Sequence, residues 1–88
     1  MDIIAAVEAR LREALQPETV TVTDESAEHA GHPGARHGGG HYALTIVAPA
    51  FAGKPPLERH RLVYAALAGL MGREIHALRI EALAPDEL

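Results

Sequence analysis

Six histidines and no cysteine define the side-chain chemistry open to this 88-residue chain. Without a thiol, the chain alone supplies no disulfide scaffold, thiolate metal site, cysteine nucleophile or redox pair. Imidazole is the only strong transition-metal ligand left, with carboxylate as the weaker option. The histidines are unevenly spaced. His29, His32 and His37 lie in the run Glu25 to Gly40, ESAEHAGHPGARHGGG, which also holds five glycines and one proline. A structureless stretch of that length in a compact domain is either functional or disordered, and both readings stay open. The run leads straight into His41, while His60 and His76 stand apart in the C-terminal half. No nucleophile–base pair or HExxH spacing accompanies them, which argues against a self-contained hydrolytic zinc site.

The elements that must position these residues follow from hydrophobic spacing. Ile3, Ile4, Val7, Leu11, Ala14 and Leu15 recur at helical intervals, with Asp2 as N-cap, a Glu8–Arg12 pair, and Pro17 ending the helix. Thr19 to Asp24 alternates as a strand with Val20 and Val22 inward, and His41 to Ala48 forms a second strand with Tyr42, Leu44, Ile46 and Ala48 on one face. Ala50 to Pro56 is a turn. A second helix is expected from about Leu57 to Met71, with Leu57, Val63, Tyr64, Leu67, Leu70 and Met71 as its apolar stripe and Gly72 at its C-cap. Ile75 to Leu83 is the third strand, with Leu78, Ile80 and Ala82 inward. The fold class is therefore α/β: one compact domain over residues 1–88, ordered helix-strand-strand-helix-strand around a three-stranded mixed sheet.

The final strand–helix–strand unit should be a right-handed parallel crossover. Parallel strands start at the same edge, so His41 and His76 begin at one end of the sheet, where the histidine-rich run also returns. By parity with Leu78 and Ile80, the His76 ring should point toward the packed face. A fixed histidine on a strand, facing histidines on a loop, is a candidate metal-ligand set for zinc, iron or copper. Such a set leaves coordination positions open for water or a partner. The competing reading is that the loop histidines are solvated, and for His37 that reading is preferred. His60 falls within the second helix's stripe and reads as a packed, hydrogen-bonded residue rather than a ligand. Lys54, Arg59 and Arg61 form the one local basic cluster, a candidate contact for nucleic acid or a partner, or simply a solvated helix edge.

Composition narrows the partners. Hydrophobic residues make up 48% of the chain, more than disordered chains usually carry. Eight basic residues against twelve acidic give a net charge of −4, whereas a nucleic-acid binder normally carries a basic stripe. Adding six imidazolium charges to −4 gives +2, so surface behaviour should vary with pH below neutrality. No apolar run is long enough to span a bilayer, and Met1-Asp2-Ile3-Ile4 lacks a signal-peptide or transit-peptide layout. A cytoplasmic protein is expected, without a membrane partner.

The chain resembles the BolA family along essentially its whole length. The resemblance is carried by Leu15-Gln16-Pro17, Asp24-Glu25-Ser26 with His29, His41-Tyr42, Phe51-Ala52-Gly53-Lys54, Arg59-His60-Arg61-Leu62-Val63-Tyr64, Ile75-His76-Ala77-Leu78 and Ala84-Pro85-Asp86-Glu87. The RHRLVY and IHAL runs at this separation are together specific. The resemblance implies a fold similar to the class II KH domain. It also implies a non-enzymatic adaptor in iron or iron–sulfur trafficking and regulation, paired with a monothiol glutaredoxin around a bridged [2Fe–2S] cluster. In such complexes glutaredoxin cysteine and glutathione supply the sulfur ligands, so none of the cofactor is expected in the isolated chain. His76, in the IHA motif, is the implied ligand from this side. A loop residue is the second, with His29 matching best and His32 its rival. Alone, the chain is expected to be a monomer or weak homodimer. The family's reputation as transcriptional regulators gives the alternative, a KH-like nucleic-acid binder. KH domains clamp RNA with a GxxG loop; Phe51 to Pro56 offers one glycine and one lysine at the comparable turn, so binding should be weak and salt-sensitive at most.

Overall fold

A computed structural model describes residues 2–26 and 40–88. Helix α1 spans Ile3–Leu15 and starts as its sequence dictates, with the Ala5 N–H donating to Asp2 Oδ1 at 3.1 Å. Val7 and Leu11 are wholly buried, Ile3, Ile4 and Leu15 pack at the margin, and Ala14 is exposed rather than part of the stripe. The helix ends at Gln16, which takes the left-handed conformation (φ 49°) before Pro17.

Strands β1 (Thr19–Asp24) and β2 (Gly40–Val47) pair antiparallel, and β3 (Ile75–Leu83) pairs with β2 in parallel. The sheet order is β1-β2-β3, the mixed α/β arrangement expected from the element order. Both helices lie against one face, where Val20, Tyr42, Leu44 and Ile46 meet Val7, Leu11, Val63 and Leu67 in one core. On the opposite face the row Thr21, Thr45 and Glu81 is exposed. Phe51 is among the largest fully buried side chains. It belongs to a short 3-10 turn, Pro49–Phe51, that tucks the chain under the core between β2 and the second helix.

Helix α2 spans Pro56–Ala66, five residues shorter at its C-terminal end than its spacing predicts. Proline is preorganised for the first helical position, which accounts for the sharp start. After Ala66 the chain turns repeatedly through Gly69 (φ 93°) and Gly72 (φ 79°), backbone conformations that a side chain disfavours. Gly72 therefore serves the turn into β3, and Leu67 is the C-cap. The buried stripe is also rotated from the expected one. Val63 and Leu67 face the core with Leu62 and Ala66 beside them, whereas Leu57 is 61% and Tyr64 42% exposed. His60 is half-buried at the border of that stripe.

Candidate metal centre at the histidine end of the sheet

The parallel pairing of β2 and β3 brings His41 and His76 to the same end of the sheet, with ring centroids 5.1 Å apart and planes tilted by 48°. The His76 ring does not face the core, however. Gly40 lies opposite Ile75, but the next residue, His41, lies opposite Ala77, so His76 is an extra residue bulged out of β3. A bulge resets the alternation of the strand. Ile75 and Leu78, three residues apart, both face inward, which leaves His76 and Ala77 consecutively exposed. The bulge thus re-aims an imidazole from the packed face to the open one.

A turn at the end of β1 holds His41 by its backbone. The Ser26 N–H donates to Asp24 Oδ1 at 2.8 Å, the His41 N–H donates to Ser26 Oγ at 3.0 Å, and the Glu25 N–H donates to the His41 carbonyl at 2.7 Å. The Glu25 carboxylate reaches across β2 to an ion pair with Arg79 on β3. Hydrogen bonds from the Ser26 hydroxyl and then its N–H hold the Asp24 carboxyl below its ordinary pKa of 3.8. Gly40 allows this close packing, because a Cβ there would stand 2.6 Å from the Tyr42 ring and 2.8 Å from Ser26 Oγ. The Tyr42 ring is buried beneath, and burial, followed by the Asp24 and Asp2 charges, pushes its phenol above its ordinary value. Glu25, His41, Tyr42, Ala77 and Arg79 line an open depression of about 280 Å³ beside the rings.

The remaining sequence candidates divide clearly. His29, His32 and His37 lie outside the described residues. Among the described residues no three histidine or carboxylate side chains converge as a metal site, so the described chain brings two imidazoles together there. Arg59 is committed within the fold. Its Nε donates to the Lys54 carbonyl at 2.7 Å, one terminal nitrogen donates to the Ala82 carbonyl at 2.9 Å, and both terminal nitrogens pair with Glu87 at 2.6 and 2.8 Å. Of the basic cluster, Arg61 is exposed and Lys54 partly so. The bulge, the Glu25–Arg79 pair and the hydroxyl bond to His41 escape sequence reasoning. The Asp24-Glu25-Ser26 run was the available signal for the last of these.

Two imidazoles at one end of a mixed sheet, His76 exposed and His41 half-buried beside it, with two helices on the other face, define a small α/β domain. The chain belongs to the BolA family, whose sequence profile, described as BolA-like protein, matches residues 11–87. It is 44% identical over 83 residues to BolA-like protein 1 of Homo sapiens, covering 94% of this chain and 58% of that one. The chain thus spans less than two thirds of that relative's length. It is 37% identical to the DNA-binding transcriptional regulator BolA of Vibrio cholerae over 92% of this chain and 74% of the relative. The BolA domain of SufE1 from Arabidopsis thaliana superposes with a TM-score of 0.85 at 36% identity, covering all of this chain and 98% of that domain. Among the described residues no helix is long and apolar enough to cross a membrane.

Proposed function

We propose that this BolA-family chain is a non-enzymatic adaptor in iron–sulfur cluster or iron trafficking. In this reading it acts by completing a [2Fe–2S] cluster held with a monothiol glutaredoxin and glutathione. The observation that carries the proposal is the exposed His76 ring, bulged out of β3 and paired with His41. The donor set fits such a group: imidazole ligates iron, the rings face outward where a partner can reach them, and the missing thiols come from glutaredoxin and glutathione. His76 is the fixed ligand, and His29, with His32 as its rival, is the loop ligand. When bound, the cluster supplies electron storage, and imidazole in place of thiolate raises its reduction potential. The chain's own contribution is to hold His76 outward-facing, and only the unprotonated ring ligates. The Asp24-Glu25-Ser26 turn fixes His41 beside it. Anaerobic co-purification with a monothiol glutaredoxin and glutathione tests the proposal. A stable heterocomplex carrying two irons and visible absorption is expected, and separation of the two proteins on the column would refute it.

The second reading is nucleic-acid binding, favoured by the name of the Vibrio cholerae relative, DNA-binding transcriptional regulator. The net charge of −4, and an Arg59 occupied by Glu87, leave Lys54 and Arg61 to contact phosphate from the basic cluster. Nanomolar, sequence-selective DNA binding at physiological salt would reverse the order of the two readings.

A further inference from the structure

The outer edge of β3 has a self-complementary pattern. β3 is an edge strand, with β2 on one side only. The Leu83 carbonyl accepts from the Ala48 N–H at 2.9 Å and so points along the β2 side. Main-chain groups alternate along a strand, so those of Leu78, Ile80 and Ala82 point to the outer edge. The Ala82 carbonyl bears this out by accepting from Arg59. Side chains alternate as well: Leu78, Ile80 and Ala82 pack toward the core, while Arg79 and Glu81 stand exposed on the open face.

We propose that this edge pairs antiparallel with the same edge of a second copy, centred on Ile80, to form a continuous six-stranded sheet. In that register Ile80 faces its own copy across a two-fold axis, and Leu78 faces Ala82. Arg79 of each protomer, which already pairs with Glu25 of its own chain through one terminal nitrogen, then stands opposite Glu81 of the other and gains it as a second carboxylate partner, at two equivalent positions. Ile80 exchanges both main-chain hydrogen bonds with its copy. The Arg79–Glu81 positions fall at the intervening pairs, where side chains approach most closely. The contact is isologous, as a closed dimer requires. Arg59 covers the Ala82 carbonyl from the C-terminal side, so the ladder ends there and association is weak and concentration-dependent.

The other edge of the sheet has the opposite character. β1 reads Thr19-Val20-Thr21-Val22-Thr23, good strand-forming residues without a charge. Antiparallel self-pairing centred on Thr21 would set Glu18 against Asp24 of the copy, an acid against an acid at both ends. Like charges opposite one another destabilise pairing, and charges at edges are a common guard against it. The charge pattern therefore selects β3 over β1.

The test is sedimentation equilibrium of the full chain across a concentration series, with Arg79→Glu, Glu81→Arg and their equimolar mixture. Wild type should approach dimer mass as concentration rises. Each single substitution places like charges opposite one another and should weaken self-association about tenfold or more. In the mixture, the doubly acidic edge of the first variant meets the doubly basic edge of the second. Both cross-strand pairs then regain opposite charges, so dimers should return as heterodimers. Wild type monomeric at the highest concentration, single variants that associate like wild type, or a mixture of folded variants that stays monomeric would each overturn the proposal. A readout independent of the variants is amide hydrogen exchange in wild type. Leu78 and Ile80 should gain protection with concentration while the β1 amides do not; equal or absent gains contradict the assignment.

Discussion

At the C-terminal end of β3 the Arg59 guanidinium meets the Lys54 and Ala82 carbonyls and both Glu87 oxygens, and Glu87 in turn accepts from the Ala84 N–H at 2.7 Å. At the N-terminal end of the same strand, His76 is bulged into solvent beside His41. Polar groups at the first end are directed at one another, in a clasp that ties α2 to the C-terminal turn Pro85–Glu87. At the second end Ser26 holds the His41 backbone and Glu25 pairs with Arg79, while the His76 ring is left exposed. Two basic side chains in neighbouring family motifs therefore do different work. Arg59 closes the fold, whereas His76 presents an imidazole to solvent.

That contrast predicts separable losses. Arg59→Ala removes three sets of hydrogen bonds and should cause the largest fall in thermal midpoint, while cluster loading with glutaredoxin persists. Arg59→Lys should recover little of the midpoint, because an ammonium cannot reproduce the fork. If Arg59→Ala abolishes loading in protein that is still folded, the clasp and the ligand end are not separate. At the histidine end, Gly40→Ala should cost about 1–3 kcal/mol in denaturant unfolding, the usual range for forcing extra volume into packed structure. Ser26→Ala leaves the His41 N–H without its acceptor and should cost about 1 kcal/mol, with the His41 amide exchanging faster.

The pH dependence sharpens the same contrast. Hydrogen bonding to Arg59, and then to the Ala84 N–H, lowers the Glu87 pKa from 4.5 to about 2. A depressed acid stabilises the fold above its unfolded pKa and loses that contribution as pH falls. The clasp should therefore hold above about pH 4.5 and release progressively toward pH 2. Carboxyl NMR should place the Glu87 midpoint near 2 in wild type and nearer its ordinary value in Arg59→Ala. His76→Ala should have the smallest effect on stability, within about 0.5 kcal/mol, as expected of an exposed side chain.

Much of this was legible in the sequence because one rule governed each part. Capping placed α1, alternation placed all three strands to within a residue, and the parallel crossover set His41 and His76 at one end. What the sequence concealed was where two rules competed. Strict alternation turned His76 inward, but Ile75 and Leu78 both seek the core, and only an extra residue between them satisfies both. Helical spacing carried α2 through Met71 and drew Leu57 and Tyr64 inward. The glycine turns end the helix at Ala66, and the inward contacts of Arg59 accompany a stripe centred on Val63 and Leu67. The basic cluster was visible as a charge run, but the Glu87 partner of Arg59 lies 28 residues away and has no local signature.

In the proposed heterocomplex His76 ligates the shared cluster from this side. The most direct measurement is anaerobic titration of cluster-loaded monothiol glutaredoxin with wild type and His76→Ala, followed by visible circular dichroism and by electron paramagnetic resonance after reduction. Wild type should replace the all-thiolate spectrum with that of a mixed sulfur–imidazole centre, while the equally stable His76→Ala leaves the glutaredoxin spectrum unchanged. The same spectral conversion with His76→Ala as with wild type would rule out His76 as the ligand.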